Sequence, residues 1–290
     1  ASESMTVILP LSRRARPLGR CVLECQTRLM VTVTPIGSAL GATIEGVEFD
    51  GDVVRNAEAI RAAWVEHGVV FFPQLHPTPD QHMALARALG TPESHGDFGD
   101  DTREYERVGG HREIIEIANR PVNRADFWHT DATFRENPPA GSILCLRDVP
   151  PTGGDTMWLS TAAAYDALPD PLKDMVDQLT AEHGRPPMTG TADHPVVAVH
   201  PDSGRRVLYV NRAWTSRVKG MSYTYSTRLL EMLCDFVEQP EWTIRWTWTP
   251  GDVAAWDNRS TQHYAVYDYG DYPRMGHRVI VTGGRPVGIT

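Results

Sequence analysis

No stretch of this sequence approaches the roughly 18 consecutive apolar residues that a membrane-crossing helix needs, so a membrane partner is not expected. Positive charge is in short supply as well. The 28 Lys and Arg stand against 37 Asp and Glu, a formal charge of −9. Such a balance is poorly suited to the phosphate surface of nucleic acid. Cysteine is scarce, with four in the chain. Cys21 and Cys25 form a C-x3-C pair with no second Cys or His pair nearby, a poor zinc site and too little for a disulfide framework. Cys145 and Cys234 sit in apolar runs, where buried thiols are found. This usage fits a reducing compartment, and a cytoplasmic location is expected. Internal repeats and low-complexity linkers are also missing, which favours one catalytic domain over two.

What is present is enough to bury a sizeable core: 290 residues, 41% of them hydrophobic. Residues 5–11 are mostly apolar, and Arg13, Arg14, Arg16 and Arg20 follow. A secretory signal has the reverse order. Met30 stands directly before the first strand pattern, so residues 1–29 read as a dispensable extension and 30–290 as the domain. Val31–Thr34 and Ala42–Val47 alternate as strands do. Ile60, Ala63, Trp64 and His67 recur at helical spacing, with Gly68 as the stop. Val69–Phe72 reads as a buried strand, and Thr78-Pro79 as the cap and first position of a helix ending near Gly90. Residues 94–112 form a long polar loop, a pattern more often functional or mobile than structural. Strands are expected at Ser142–Leu146, Thr156–Trp158, Val253–Trp256 and Arg278–Val281. Ser160 caps one helix through Leu168 and Asp170 a second through Leu179. A hairpin joins Val196–Val199 to Val207–Val210. Trp242–Trp248 alternates, and Leu230, Leu233 and Val237 mark a helix face. Many short strands with a few helices imply an α+β chain, an antiparallel β core with helical buttresses.

The chemistry-bearing residues are His129-Thr130-Asp131 and, far downstream, His263 at the end of Trp256-Asp257-Asn258-Arg259-Ser260-Thr261-Gln262-His263. Two imidazoles and one carboxylate are the facial triad that holds non-haem Fe(II). Residues i and i+2 of an extended strand share a face, so His129 and Asp131 can grip one ion from one side. The pair alone is weak evidence, because a surface His beside a loop Asp gives the same letters. A zinc hydrolase and a non-catalytic jelly-roll binding module are the competing readings.

The surroundings carry more. Phe127–Phe134, Pro138-Pro139, Gly153-Gly154-Asp155-Thr156, Trp256-Asp257-Asn258-Arg259 and Gln262-His263 together resemble the taurine dioxygenase family of Fe(II)/2-oxoglutarate-dependent oxygenases. The likeness runs in order from about Val31 to Val287. It implies a double-stranded β-helix, or jelly-roll, core. It implies iron held by His129, Asp131 and His263, with 2-oxoglutarate and dioxygen as cosubstrates. It places Arg274, eleven positions after His263, and Thr156, twenty-five after Asp131, on the far carboxylate of 2-oxoglutarate. It also places Arg278 beside the metal, where it can meet an anionic group on the substrate, and His95 on that substrate. Phe98 stands where taurine dioxygenase has Tyr, and Ala125 near where it has Asn. With a short loop at 183–195, these departures disfavour taurine itself. The expected reaction is hydroxylation of a C–H in a small anionic molecule with release of succinate and CO2. The expected partners are that small molecule and further copies of the chain.

Overall fold

The computed structural model describes residues 5–6, 31–51, 53–94, 108–118, 125–185 and 190–289. Its central strands sort their side chains at a two-residue period onto two faces. From Val69–Phe72, Gly141–Asp148 and Val253–Asp257, the residues Val70, Phe72, Ile143, Cys145, Val253 and Ala255 join one core cluster. Their neighbours Val69, Phe71, Leu144, Leu146, Ala254 and Trp256 join another. The strands are therefore buried on both sides, which explains why they read as continuous apolar runs.

Helices cover the first face. Ala57–His67 contributes Ile60, Ala63 and Trp64, and Pro79–Leu89 contributes Met83, Leu85 and Leu89. The second helix starts as its sequence dictates. Thr78 Oγ1 accepts from Gln81 N–H at 3.2 Å, Gln81 Oε1 accepts from Thr78 N–H at 3.0 Å, and Pro79 occupies the first turn. The sheet beneath has eight strands in the order Met5–Thr6, Thr32–Pro35, Ala42–Glu45, Val69–Phe72, Val253–Asp257, Gly141–Asp148, Met275–Val281 and Ile115–Ala118. Each pairing is antiparallel except that of Ala42–Glu45 with Val69–Phe72.

The second face meets a three-stranded antiparallel sheet, Thr243–Trp246, Thr156–Ser160 and Thr261–Ala265. Aromatic rings fill the space between. Phe71 stacks on Trp246 at 4.2 Å and meets Trp158 edge-on at 5.3 Å, and Trp158 lies 5.9 Å from Trp256. The described residues form two further three-stranded sheets. The helix Tyr223–Val237 packs Leu230, Leu233 and Val237 into a separate core cluster. Among the described residues no helix is long and apolar enough to cross a membrane.

Two local expectations need correction. The helix opening at Asp170 ends at Val176, and Pro169 rather than Asp170 is its cap. Thr180–His183 then forms a strand paired with Ala192–Pro195, so the connection is shorter than a loop over 183–195. Ser160 does cap its helix, accepting from Ala163 N–H. The Val197–Val199 and Arg206–Leu208 hairpin is present in register, with Ala198 opposite Val207.

Candidate active site

Strand register brings the distant motifs together. His263 lies opposite Trp158 in the small sheet, and Thr156 is two residues further along the same strand. Opposed residues share a face and so do i and i+2, so His263, Trp158 and Thr156 point to one side. In the large sheet Ser142 opposes Trp256 on one flank and Ile280 on the other, and Arg278 opposes Leu144. Arg278, Ser142 and Trp256 thus share the opposing face. Trp256 joins the two sheets at this point. His263 packs on its ring at 4.8 Å, and the Arg278 guanidinium sits 5.2 Å from its centroid.

His129 and Asp131 reach the same place by a different route from the extended strand expected of them. His129 forms a single antiparallel bridge with His263, each backbone N–H donating to the other's carbonyl at 3.1 and 2.9 Å. The chain then turns at Asp131, and Ala132 takes a positive φ of 49°. Bridge and turn, not strand alternation, bring the two side chains to one point. Asn258 holds the turn. Its Oδ1 accepts from Asp131 N–H at 2.8 Å, and its Nδ2 donates to the carbonyls of Asp131 and Pro139 at 3.1 and 2.9 Å. Beneath it, fully buried Asp257 accepts from Arg259 and pairs with His200 at 3.0 Å.

The ligand atoms of His129, Asp131 and His263 all lie within 4.8 Å of one another, and none of the three side chains is exposed. Asp131 Oδ1 is 3.7 Å from Nε2 of each histidine. His129 Nδ1 donates to the Phe127 carbonyl at 2.8 Å, which leaves a lone pair on Nε2 if the ring is neutral. Burial pushes both imidazoles below their usual range, which favours the neutral form. Burial alone would raise Asp131, but the Arg278 guanidinium and both imidazoles outweigh it and hold the carboxyl down to about 2. The donor set is two neutral imidazole nitrogens and one carboxylate oxygen. It is an acceptable set for a divalent first-row metal, and it leaves other coordination positions open.

Arg274 lies just before the Met275–Val281 strand. Its Nε donates to the Gly154 carbonyl at 2.8 Å and its Nη2 to Thr156 Oγ1 at 3.1 Å. Gly153 and Gly154 both adopt positive φ, +77° and +72°, and so turn that carbonyl toward the guanidinium. Trp248 Nε1 donates to Thr156 Oγ1 at 3.0 Å from the other side. No carboxylate lies within ion-pair distance of Arg274 among the described residues. Burial pushes this guanidinium below its usual range, with only partial compensation from Tyr269 and Asp155. A desolvated cation without a counter-ion is a ready partner for a ligand carboxylate.

Arg278 is differently occupied. It pairs with Asp131 Oδ2, and its Nε and Nη2 donate to Ser142 Oγ at 3.2 and 2.7 Å. Asp131 therefore turns one oxygen to the histidines and the other to this guanidinium. Phe127 lies 5.0 Å from His129, and Phe127 and Phe134 both meet Trp214, giving an aromatic wall beside the centre. His95 and Phe98 lie outside the described residues. Ala125 is within them, its carbonyl accepting from Ala265 N–H at 3.0 Å.

Sequence reasoning missed Asn258, Ser142 and the Phe127 carbonyl. Asn258 stood inside a motif already singled out, but its contact with Asp131 spans 127 residues. Asn258→Ala is expected to weaken metal binding by about 10–100-fold, as loss of an outer-shell partner does. Anaerobic Co(II) titration beside a thermal melt checks this. Unchanged metal affinity would leave Asn258 a loop-packing residue only.

Residues 32–280 match the family described as Taurine catabolism dioxygenase TauD, TfdA family. The chain is 40% identical over 286 residues to an alpha-ketoglutarate-dependent sulfate ester dioxygenase of Pseudomonas putida, covering 90% of this chain and 92% of that protein. It is 35% identical over 269 residues to an alkylsulfatase of Acinetobacter baylyi, covering 84% and 82%. The crystal structure of a taurine dioxygenase from Burkholderia xenovorans superposes with a TM-score of 0.78 at 36% identity, over 89% of this chain and 93% of that one.

Proposed function

The chain belongs to the taurine catabolism dioxygenase (TauD, TfdA) family and is an Fe(II)- and 2-oxoglutarate-dependent dioxygenase, and from that premise we propose that its substrate is an alkyl sulfate ester. The observation that supports the cosubstrate's place is the Arg274 guanidinium, without a counter-ion among the described residues and pinned to Thr156 and Gly154. The 40% identity to a sulfate ester dioxygenase supports the substrate class. In this reading His129, Asp131 and His263 hold the iron, and Arg274 with Thr156 binds the distal carboxylate of 2-oxoglutarate. The two facing sheets are the halves of a double-stranded β-helix. Bound iron supplies the activation of dioxygen and oxidative decarboxylation of 2-oxoglutarate to succinate and CO2.

The chain's own residues orient the reactants. Arg278 fixes Asp131, and its Nη1, which makes no hydrogen bond among the described residues, is the edge left for a sulfate oxygen. Phe127, Phe134 and Trp214 offer apolar surface to an alkyl chain. His95 and Phe98, from the 94–112 segment, are assigned to the substrate in this proposal on the family resemblance alone. Hydroxylation at the carbon bearing the ester oxygen gives a product that collapses, its C–O bond breaking to leave an aldehyde and free sulfate. One dioxygen and one 2-oxoglutarate are consumed for each ester, and one succinate and one CO2 leave.

A medium-chain alkyl sulfate, the matching alkyl sulfonate and an uncharged alkyl ether of the same length decide the matter. The sulfate is expected to yield succinate, aldehyde and sulfate in equal amounts. Comparable turnover of the ether would remove the anionic-substrate claim, and preference for the sulfonate would move it to that class.

The reading includes a cytoplasmic homo-oligomer without nucleic-acid or membrane partners; the net charge of −9 disfavours nucleic acid, and the few cysteines suit a reducing compartment. Residues 30–290 are proposed to suffice for activity. A chain starting at Met30 is expected to keep full turnover. It would lose the short pairing of Met5–Thr6 with Thr32–Val33 at the sheet edge. Aggregation or inactivity of that shorter chain would show that the N-terminal residues belong to the domain.

A further inference from the structure

A cavity of about 750 Å³ opens on the molecule and includes none of the triad residues, Arg274 or Arg278 in its wall. Its size is that of a small-molecule site. Leu89, Ala198, Val207 and Ile289 give it apolar surface, and four arginines, Arg61, Arg206, Arg259 and Arg285, line it. In a chain with 37 acidic residues, not one Asp or Glu is in that lining. Three of the arginines are paired with carboxylates outside the lining. Arg61 and Arg259 share Asp202 at 3.1 and 2.7 Å, Arg259 also pairs with Asp257 at 2.6 Å, and Arg206 pairs with Asp177 at 2.9 Å. Arg285 has no ion-pair partner, so among the described residues the cavity carries one uncompensated cation.

The floor gives a second, independent observation. Tyr209 is 7% exposed and lines the cavity, yet its hydroxyl makes no hydrogen bond among the described residues. Its ring is fixed from behind by His183 and His194, at 5.8 and 5.5 Å. The residue as a whole is buried, but its oxygen stays reachable from the cavity, so the phenol is open to a ligand or water there. Taken together, an apolar wall, an unpaired guanidinium and an open phenol match a molecule with a hydrocarbon body and one anionic oxygen group.

We propose that this cavity is a second binding site, separate from the metal centre, for a small amphiphilic organic anion such as a medium-chain carboxylate. The anion pairs with Arg285 and accepts from Tyr209, and its hydrocarbon body lies against Leu89, Val207 and Ile289. The wall also includes Pro139 and Arg259, which flank the Asn258 clamp on Asp131, so the site abuts the segment that shapes the metal centre.

Calorimetric titration of the full chain with octanoate, and with octanol as the uncharged control, tests the proposal. Gly284 lines the cavity with open space where a side chain would begin, so Gly284→Trp fills it without backbone strain. Saturable octanoate binding is expected, weakened about 10-fold or more by Arg285→Ala, the worth of a hydrogen bond to a charged group. Tyr209→Phe should weaken it also, and Gly284→Trp should abolish it. Octanol binding should not respond to Arg285→Ala. Turnover of the enzyme's own substrate should be unchanged by Arg285→Ala, and thermal melts confirm that each variant folds. Absence of saturable octanoate binding, or equal affinity in wild type, Arg285→Ala and Gly284→Trp, overturns the proposal. A change of assembly mass in Gly284→Trp with no octanoate binding by wild type overturns it too, and assigns the cavity to contact between copies.

Discussion

Asp131→Ala is expected to abolish metal retention and turnover together. The carboxylate is the one anionic ligand of the three, and nothing else in either motif offers a spare donor. The substitution has a second cost. Asp131 and Arg278 are nearly buried, with side-chain exposures of 13% and 16%. Removing one partner of such a pair leaves a desolvated charge and costs about 3–5 kcal/mol. The metal-free variant should therefore unfold at distinctly lower urea than the metal-free wild type. His129→Ala and His263→Ala should lose metal and turnover as completely, but without stranding Arg278. Their chemical stability should fall less. Anaerobic metal titration, succinate release and urea unfolding separate these effects. One equivalent of tightly held Fe(II) in any of the three variants would sink the assignment of the triad.

Arg274→Ala is expected to act on 2-oxoglutarate and hardly at all on the metal. Truncating one side of a buried, hydrogen-bonded charge pair costs about 2–5 kcal/mol, which is roughly 30-fold to several thousand-fold in affinity. Arg274 is part-buried, so the lower end of that range is expected. Arg274→Lys should recover only a fraction, because an ammonium cannot reproduce the planar fork that holds Gly154 and Thr156 and meets a carboxylate edge-on. The readout is the 2-oxoglutarate concentration needed for half-maximal succinate release, beside the Fe(II) requirement. An unchanged 2-oxoglutarate requirement would return Arg274 to an ordinary loop cation.

By itself the sequence determined the elements that depend on near neighbours. Thr78-Pro79 with Gln81 specifies a helix start because cap and partner lie within four residues. The Val69–Phe72 and Val253–Trp256 runs specify buried strands because every side chain in them is apolar or small. The ordered motifs were also legible: which histidines, which aspartate, which arginine after His263. Their arrangement was not. The expected extended His129–Asp131 pair is in fact a single bridge followed by a turn, since pairing to His263 and the Asn258 clamp override local preference. Arg278 read as a cation beside the metal, but its hold on Asp131 and Ser142, across 147 and 136 positions, was not legible. Arg274 read as a turn charge without the family pattern, and only the fold shows that it lacks a counter-ion among the described residues. Partners that far apart leave no local pattern, because side-chain direction, burial and charge balance are set by sheet register. A sequence names the chemical groups, and tertiary packing decides which of them remain unsatisfied and so available to a ligand.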